Sequence, residues 1–94
     1  MKLIIAVVRP FTVEKIVLAF EDIENFPGMT VSDSQGFGHD HDALDPFKPY
    51  KRIEIVCKEE MADEIVEAIR SEAHTGKRGD GMVVVVPIEN EVSI

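Results

Sequence analysis

The sequence predicts an α+β fold, a ferredoxin-like βαββαβ sandwich in which two helices cover one face of an antiparallel sheet. Stretches rich in β-branched residues alternate with helix-periodic stretches in the order β-α-β-β-α-β. This order repeats one β-α-β unit, which is typical of the split βαβ motif. The length of 94 residues, with 45% hydrophobic and 30% charged residues, fits one domain over residues 1–94.

The first half of the chain supplies a strand, a helix and a second strand. Residues 3–8 are apolar on both faces and mainly β-branched, which predicts a buried strand that Pro10 ends. Thr12 is suited to cap a helix start, and apolar residues then recur at helical spacing over residues 13–23. Residues 29–37 predict a second, less apolar strand.

The second half repeats this pattern after a loop. Residues 39–50 contain two prolines and three aspartates, which predicts a loop. Residues 52–58 alternate between apolar and other side chains and predict a third strand. An acidic start and amphipathic spacing over residues 58–73 predict a second helix. A glycine-rich loop follows, and residues 82–88 predict the last strand.

Composition excludes several classes of function. The net charge of −8 and the pI near 4.7 leave no basic face for nucleic acid and disfavour an anionic membrane surface. No apolar run reaches the length of a membrane-spanning helix, so we expect no membrane insertion. Cys57 is the single cysteine, which favours a cytoplasmic location and a buried structural thiol. No ordered Ser, His and Asp arrangement indicates an enzyme.

The first and last strands predict that the chain associates with copies of itself. Residues 3–8 and 82–86 are apolar on both faces, whereas two helices can cover only one face of the sheet. Large exposed apolar patches are uncommon on monomers, so the open face is expected to pack against another copy. The alternative is a face that is merely apolar and partly exposed.

The stretch HTGKRGDGMVVVVP predicts an anion-binding loop held by a rigid strand. Its glycines allow backbone N–H groups to turn toward one point, and concave backbone of this kind binds anions. Asp80 is expected to accept hydrogen bonds from backbone N–H groups and to shape the loop without touching phosphate. The alternative is a simple turn in which Gly76 caps the second helix. The residues of the predicted loop site are Gly76, Lys77, Arg78, Gly79, Asp80 and Gly81.

Four segments resemble the PII signal-transduction (nitrogen regulatory) proteins. They are VVRPF at 7–11, GMTVSDSQGFG at 28–38, KRIEIV at 51–56 and TGKRGDG at 75–81. The match runs in register and is interrupted at residues 39–50. The resemblance implies a homotrimer with an adenine nucleotide (AMP, ADP or ATP) as effector in the clefts between subunits. It also implies a flexible loop between the second and third strands, through which a target protein such as a transporter or a metabolic enzyme is regulated.

The resemblance also assigns a second set of site residues. The GFG stretch and the threonine of GMTV contact the base and the ribose in the family, and two valines match apolar positions of the same cleft. Carried over to this chain, these nucleotide-binding residues are Val7, Thr30, Gly36, Phe37, Gly38 and Val56.

This chain departs from the family pattern at several charged positions. Met82 replaces the lysine that follows GDG, and the ending PIENEVSI lacks the arginine pair that closes on the phosphates. Tyr50 stands near the lysine that pairs with 2-oxoglutarate, Asp40 stands near the glutamine that helps to bind magnesium, and the 39–50 loop is shorter. Charged contacts are each worth about 1.5–3 kcal/mol, so AMP or ADP is a more plausible effector than ATP.

The stretch HDHD suggests an alternative function as a metal-binding or metal-responsive trimer. In an extended segment His39 and His41 point to one side, and with a third ligand from a neighbouring subunit they could hold a divalent metal such as zinc, copper or nickel. The simpler interpretation is a solvated acidic loop with two incidental histidines.

Overall fold

A computed structural model describes residues 1–38 and 46–94 of the chain. Within these ranges a 3-10 helix, Pro10–Thr12, precedes the first α-helix. The other elements are β1 (Lys2–Val8), α1 (Val13–Glu21), β2 (Thr30–Phe37), β3 (Phe47–Cys57), α2 (Glu59–Ala73) and β4 (Gly81–Pro87). The predicted α+β class and the predicted order of elements are confirmed.

The four strands form one antiparallel sheet in the order β2-β3-β1-β4. The inner strand β1, which we call the central strand, lies between β3 and β4, and at its end Val8 lies opposite Lys51 of β3 and Gly81 of β4. At the same end, Phe37 of β2 lies opposite Phe47 of β3. The end of β2 and the start of β4 therefore meet at one end of the sheet, although nearly half of the chain separates them.

The helices cover one face of the sheet and bury its side chains. Alternate residues of β1 and β3 point into this core, as the period of a strand requires. Cys57 is 2% exposed, which confirms the predicted buried thiol, and burial raises the pKa of this thiol. The core is built mainly from Ile4, Ala6, Val8, Ile16, Phe20, Ile53, Ile55, Ile65 and Ile69.

The opposite face of the sheet is apolar along β1 and β4, as the sequence predicted. Leu3, Ile5 and Val7 alternate with the buried residues of β1 and are only half-buried. Their partners on β4 are Val86, Val84 and Met82, which are 38%, 39% and 59% exposed. We call these six residues the open-face stripe.

The third strand begins earlier than the sequence predicted. Residues 47–50 belong to the loop that the sequence predicts, yet they pair with β2, and Pro49 lies opposite Gln35. The central strand pairs with β3 only from Lys51 onward, so β3 has an open edge beside Pro49. A proline, which has no N–H, is tolerated where its nitrogen faces such an edge. The predicted 39–50 loop was therefore four residues too long.

Thr12 occupies the N-cap position of α1, as predicted, but its side chain does not cap the helix. Thr12 has helical backbone angles and makes no side-chain cap of α1. Its buried hydroxyl instead donates to the carbonyl oxygen of Arg9 at 2.8 Å. The 3-10 helix that begins at Pro10 contains Thr12. Because α1 continues directly from this turn, a carbonyl oxygen of the turn already accepts a hydrogen bond from the first backbone N–H group of α1.

None of the helices in residues 1–38 and 46–94 is long and apolar enough to cross a membrane.

Candidate functional site

A cleft of about 410 Å³ lies where the end of β2 meets the start of β4. Two glycine segments that the sequence predicted separately, GFG and TGKRGDG, form opposite walls of this cleft. The hydrophobic side chains between them make its floor. Its lining consists of Val7, Gly36, Phe37, Gly38, Tyr50, Gly79, Gly81 and Met82.

Gly81 allows the glycine loop to lie directly against the central strand. Its φ is +119°, which side chains rarely adopt. A Cβ at this position would lie 1.9 Å from the carbonyl oxygen of Val7, far inside contact distance. The start of β4 and the end of β1 can therefore approach only because residue 81 is glycine, and this approach closes one wall of the cleft.

Asp80 organises the loop that precedes β4. Its carboxylate accepts hydrogen bonds from the backbone N–H groups of Thr75 at 2.6 Å and of Gly76 at 3.1 Å. It also accepts bonds from the Thr75 hydroxyl and, at 3.3 Å, from Nε of Arg9. The structure thus confirms that Asp80 shapes the loop, as the sequence predicted. It also corrects the assignment of Gly76 as the cap of α2, because His74 ends that helix and its N–H binds the Arg70 carbonyl at 3.1 Å.

These hydrogen bonds make the stability of the fold depend on pH through Asp80. The Thr75 hydroxyl, the Thr75 N–H, Arg9 and the Gly76 N–H lower the pKa of Asp80 from 3.8 to about 2. A carboxyl group with a lowered pKa stabilises the fold above its unfolded value and loses this contribution as the pH falls through the folded value. We therefore expect stability to decline between about pH 4 and pH 2 and Asp80→Asn to remove much of that decline.

Urea unfolding at several pH values in this window tests the prediction. Glu67→Gln is the control, because among the described residues the Glu67 carboxylate pairs with Arg70, at 2.6 Å on the exposed surface of α2, and should contribute less. Equal declines in the parent and in Asp80→Asn would contradict the assignment.

Two further side chains hold the glycine loop by its carbonyl groups. Arg9, after β1, donates from Nη2 to the carbonyl oxygen of Arg78 at 2.6 Å. Tyr50, on β3, donates from its hydroxyl to the carbonyl oxygen of Gly79 at 2.8 Å. Consecutive peptide groups of the loop are therefore fixed by side chains from two different parts of the chain. Sequence reasoning did not predict either hydrogen bond, because the two partners of each bond lie about 30 or about 70 residues apart along the chain.

The structure brings together half of the twelve predicted nucleotide-binding residues in the cleft lining. These six are Val7, Gly36, Phe37, Gly38, Gly79 and Gly81. Asp80 supports the loop from behind, while Gly76, Lys77 and Arg78 lie exposed in the same loop.

Thr30 and Val56 lie away from the cleft of their own chain. Thr30 lies opposite Glu54 at the far end of β2, six residues or roughly 20 Å from Gly36. Val56 lies opposite Leu3, near the other end of the central strand. These two residues can join the site only if a second copy of the chain supplies them.

The cleft offers backbone and apolar surface rather than positive charge. No lysine or arginine side chain is among its described lining residues, and Met82 occupies the wall where β4 begins. Cations stand beside the lining: Lys77 and Arg78 are exposed in the glycine loop, and Lys48 lies opposite Gly36. A ligand here would meet glycine peptide groups on two sides and an apolar floor, which suits a planar group attached to one or two phosphates.

The predicted metal ligands His39 and His41 lie outside the described residues, so that hypothesis stays a prediction. Within the described ranges, no group of three or more His, Cys, Asp or Glu side chains is placed to hold a metal ion. His74 lies with Nδ1 3.9 Å from the Asp80 carboxylate and belongs to the loop network.

Comparison with known proteins agrees with this geometry. The family model described as "Nitrogen regulatory protein P-II" matches residues 1–94. The Nitrogen regulatory protein P-II of Azospirillum brasilense is 32% identical over 103 aligned positions, which cover 100% of this chain and 91% of the relative. Those of Rhizobium meliloti (strain 1021) and Pasteurella multocida (strain Pm70) are 31% and 33% identical with the same coverage.

The alignments of 103 positions exceed the 94 residues of the chain by nine, so these relatives carry residues without a counterpart here. A family match along the whole chain and relatives above 30% identity show that the chain belongs to the P-II family of nitrogen regulatory proteins, which are signal-transduction regulators.

Proposed function

We propose that this chain is a cytoplasmic regulator, not an enzyme, that binds AMP or ADP in preference to ATP in the cleft between its two glycine segments. The observation that carries the proposal is the meeting of GFG and the 75–81 loop around one cavity whose described lining has no cationic side chain. P-II proteins bind adenine nucleotides as effectors, and this chain keeps the backbone parts of such a site. It has Met82 where the resemblance places a lysine.

The shape of the cleft supports a nucleotide rather than a free phosphate. Val7, Phe37 and Met82 offer apolar surface for a base, while Gly79 and its neighbours offer peptide groups for a phosphate. Lys77 and Arg78 are the exposed cations of the loop and can approach one or two phosphates. A third phosphate would add negative charge to a chain that already carries a net charge of −8.

A complete site on this proposal requires three copies of the single domain, residues 1–94. The open-face stripe supplies a continuous apolar surface that a neighbouring copy would cover. Thr30 and Val56 would then reach a neighbour's cleft, which they cannot reach within their own chain. Closed rotational symmetry gives each copy the same contacts, and the resemblance favours the trimer.

Signalling on this proposal passes through the segment between β2 and β3. Gly38 lines the cleft and is the last described residue before that segment. The rings of Phe37 and Phe47 pack at its root in a tilted arrangement, with their centroids 5.7 Å apart and their planes at 45°. A ligand that contacts Gly38 therefore acts at the root of the segment. On this proposal, ligand binding shifts the population of conformers of the segment, and this changes the affinity of the protein for a target such as a transporter or a metabolic enzyme.

Titration calorimetry with AMP, ADP and ATP on the purified protein tests the proposal. We expect AMP or ADP to bind more tightly than ATP, and Gly79→Val to weaken binding at least about tenfold, because a branched side chain fills the cradle at a residue whose φ is +84°. Gly28→Ala is the control, since Gly28 also has a positive φ but lies outside the cleft lining.

Thermal melting shows whether each variant is folded before it is titrated. If none of the three nucleotides binds below millimolar concentration, or if ATP binds most tightly, the proposed effector class is wrong.

A further inference from the structure

Tyr50 occupies a position in the cleft that links the loop root to the glycine loop. Its hydroxyl donates to the carbonyl oxygen of Gly79 at 2.8 Å. Its ring lies directly on Gly36, where a Cβ would come within 2.8 Å of the ring carbons Cδ2 and Cε2. The ring therefore spans from β2 to the 75–81 loop, and both ends of this span line the cleft.

The hydrogen bond fixes the direction of one peptide group. In a trans peptide the C=O of residue 79 and the N–H of Asp80 point in opposite directions, and the described chain contains no cis peptide. The Gly79 oxygen points to the hydroxyl of Tyr50, and both residues line the cleft, so this peptide directs its negative end toward Tyr50 on the cleft wall. A phosphate there would meet a carbonyl oxygen rather than an N–H donor.

Glycine at position 79 allows this peptide group to turn over. Its φ of +84° shows that the residue already uses conformations open mainly to glycine. Rotation of the peptide would direct the Asp80 N–H toward the cavity, and it would break the bond to Tyr50. The neighbouring peptide is held separately, since Arg9 binds the Arg78 oxygen, so the rotation can be local.

We propose that the Tyr50 hydroxyl and a ligand phosphate compete for the Gly79–Asp80 peptide group. Without ligand, Tyr50 holds the carbonyl toward the cleft; with a phosphate bound, the peptide turns and Tyr50 is released. This inference rests on the proposed nucleotide site and adds a selectivity element to it, because the competition weakens every phosphate-bearing ligand. The competition also connects ligand binding in the cleft to β3, since Tyr50 lies three residues after the start of that strand.

The substitution Tyr50→Phe tests the competition by calorimetry. It keeps the ring on Gly36 and removes only the hydroxyl. We expect ADP and inorganic pyrophosphate to bind about two- to tenfold more tightly to the variant, which is the value of one neutral hydrogen bond, and adenosine to show no gain. Ser71→Ala, which deletes an exposed hydroxyl on α2, is the matched control and should leave all affinities unchanged.

A second measurement uses the parent protein. Tyr50 is the only tyrosine, so protein grown with isotope-labelled tyrosine gives NMR signals from this ring alone. We expect these signals to move during an ADP titration with the Kd that calorimetry gives.

Failure of the competition and failure of the site are separable. If ADP binds but the tyrosine signals stay still, and Tyr50→Phe has unchanged or weaker affinity, the competition is wrong and the nucleotide site stands. An equal gain for adenosine would also overturn the competition. If neither ADP nor pyrophosphate binds parent or variant, the proposed site itself is wrong and the competition falls with it.

Discussion

Gly81→Ala is expected to destabilise the fold by on the order of 4 kcal/mol, enough to leave a large part of a marginal domain unfolded. Two costs add at this residue. The φ of +119° is strained for any residue with a Cβ, and the new Cβ would lie 1.9 Å from the Val7 oxygen and 2.9 Å from the Val7 carbonyl carbon. Both atoms belong to the backbone of the central strand, so neither can move aside as a flexible side chain would.

The control for this substitution is Gly28→Ala. Gly28 has a φ of +102°, yet nothing lies within 4 Å of the Cβ that alanine would add. It should therefore show only the conformational cost, about 1–2 kcal/mol. Urea denaturation of the parent and both variants measures the difference, which isolates the contact with β1. Equal losses in the two variants would mean that β4 can shift away from β1 at little cost.

Val84→Asp is expected to weaken self-association by more than about a hundredfold. Val84 lies in the middle of the open-face stripe, opposite Ile5. If a second copy covers this stripe, each copy would bury a carboxylate without a partner, at a cost of about 3 kcal/mol. Analytical ultracentrifugation over a range of concentrations should show trimer for the parent and monomer for the variant.

The adjacent residue provides a matched control. Val85 is the same residue type with nearly the same exposure, 44% against 39%, but it points to the helix-covered side of β4, opposite Ile4. Val85→Asp should leave the assembly intact, with at most a modest loss of fold stability. If the two variants dissociate equally, or if the parent is monomeric at micromolar concentration, the open face does not form the interface.

The sequence predicted the elements of this fold well because each one has a clear period. The strand over 3–8 and the helix over 58–73 were found within one or two residues. The start of β3 was missed because Pro49 reads as a loop residue, and its tolerance depends on which strand lies beside it. The order of the strands in the sheet decides which strand lies beside Pro49, and local sequence patterns do not show this order. The Thr12 side chain does not cap α1 for a similar reason, since Thr12 is already part of the 3-10 helix that precedes α1.

The candidate site was predictable where backbone freedom is required and unpredictable where long-range contacts decide. Glycines at 36, 38, 79 and 81 marked both walls of the cleft, and the side chain of Asp80 had an evident local role. The Tyr50 bond to Gly79 depends on β3 and the glycine loop meeting across the end of the central strand. Hydrogen bonds between segments so far apart in the chain can be predicted only when the register of the sheet is known.

The pairing of β1 with β4 has a consequence for how the protein folds during its synthesis. Lys2 lies opposite Pro87, so β1 can gain β4 as its neighbour only after all the chain between the two strands has been synthesised. Until then the central strand lacks one neighbour, and the apolar edge it shows is a surface that chaperones or other nascent chains can capture. We therefore expect the pairing of β1 with β4, which closes a long chain segment, to limit the rate of folding more than the formation of the helices does.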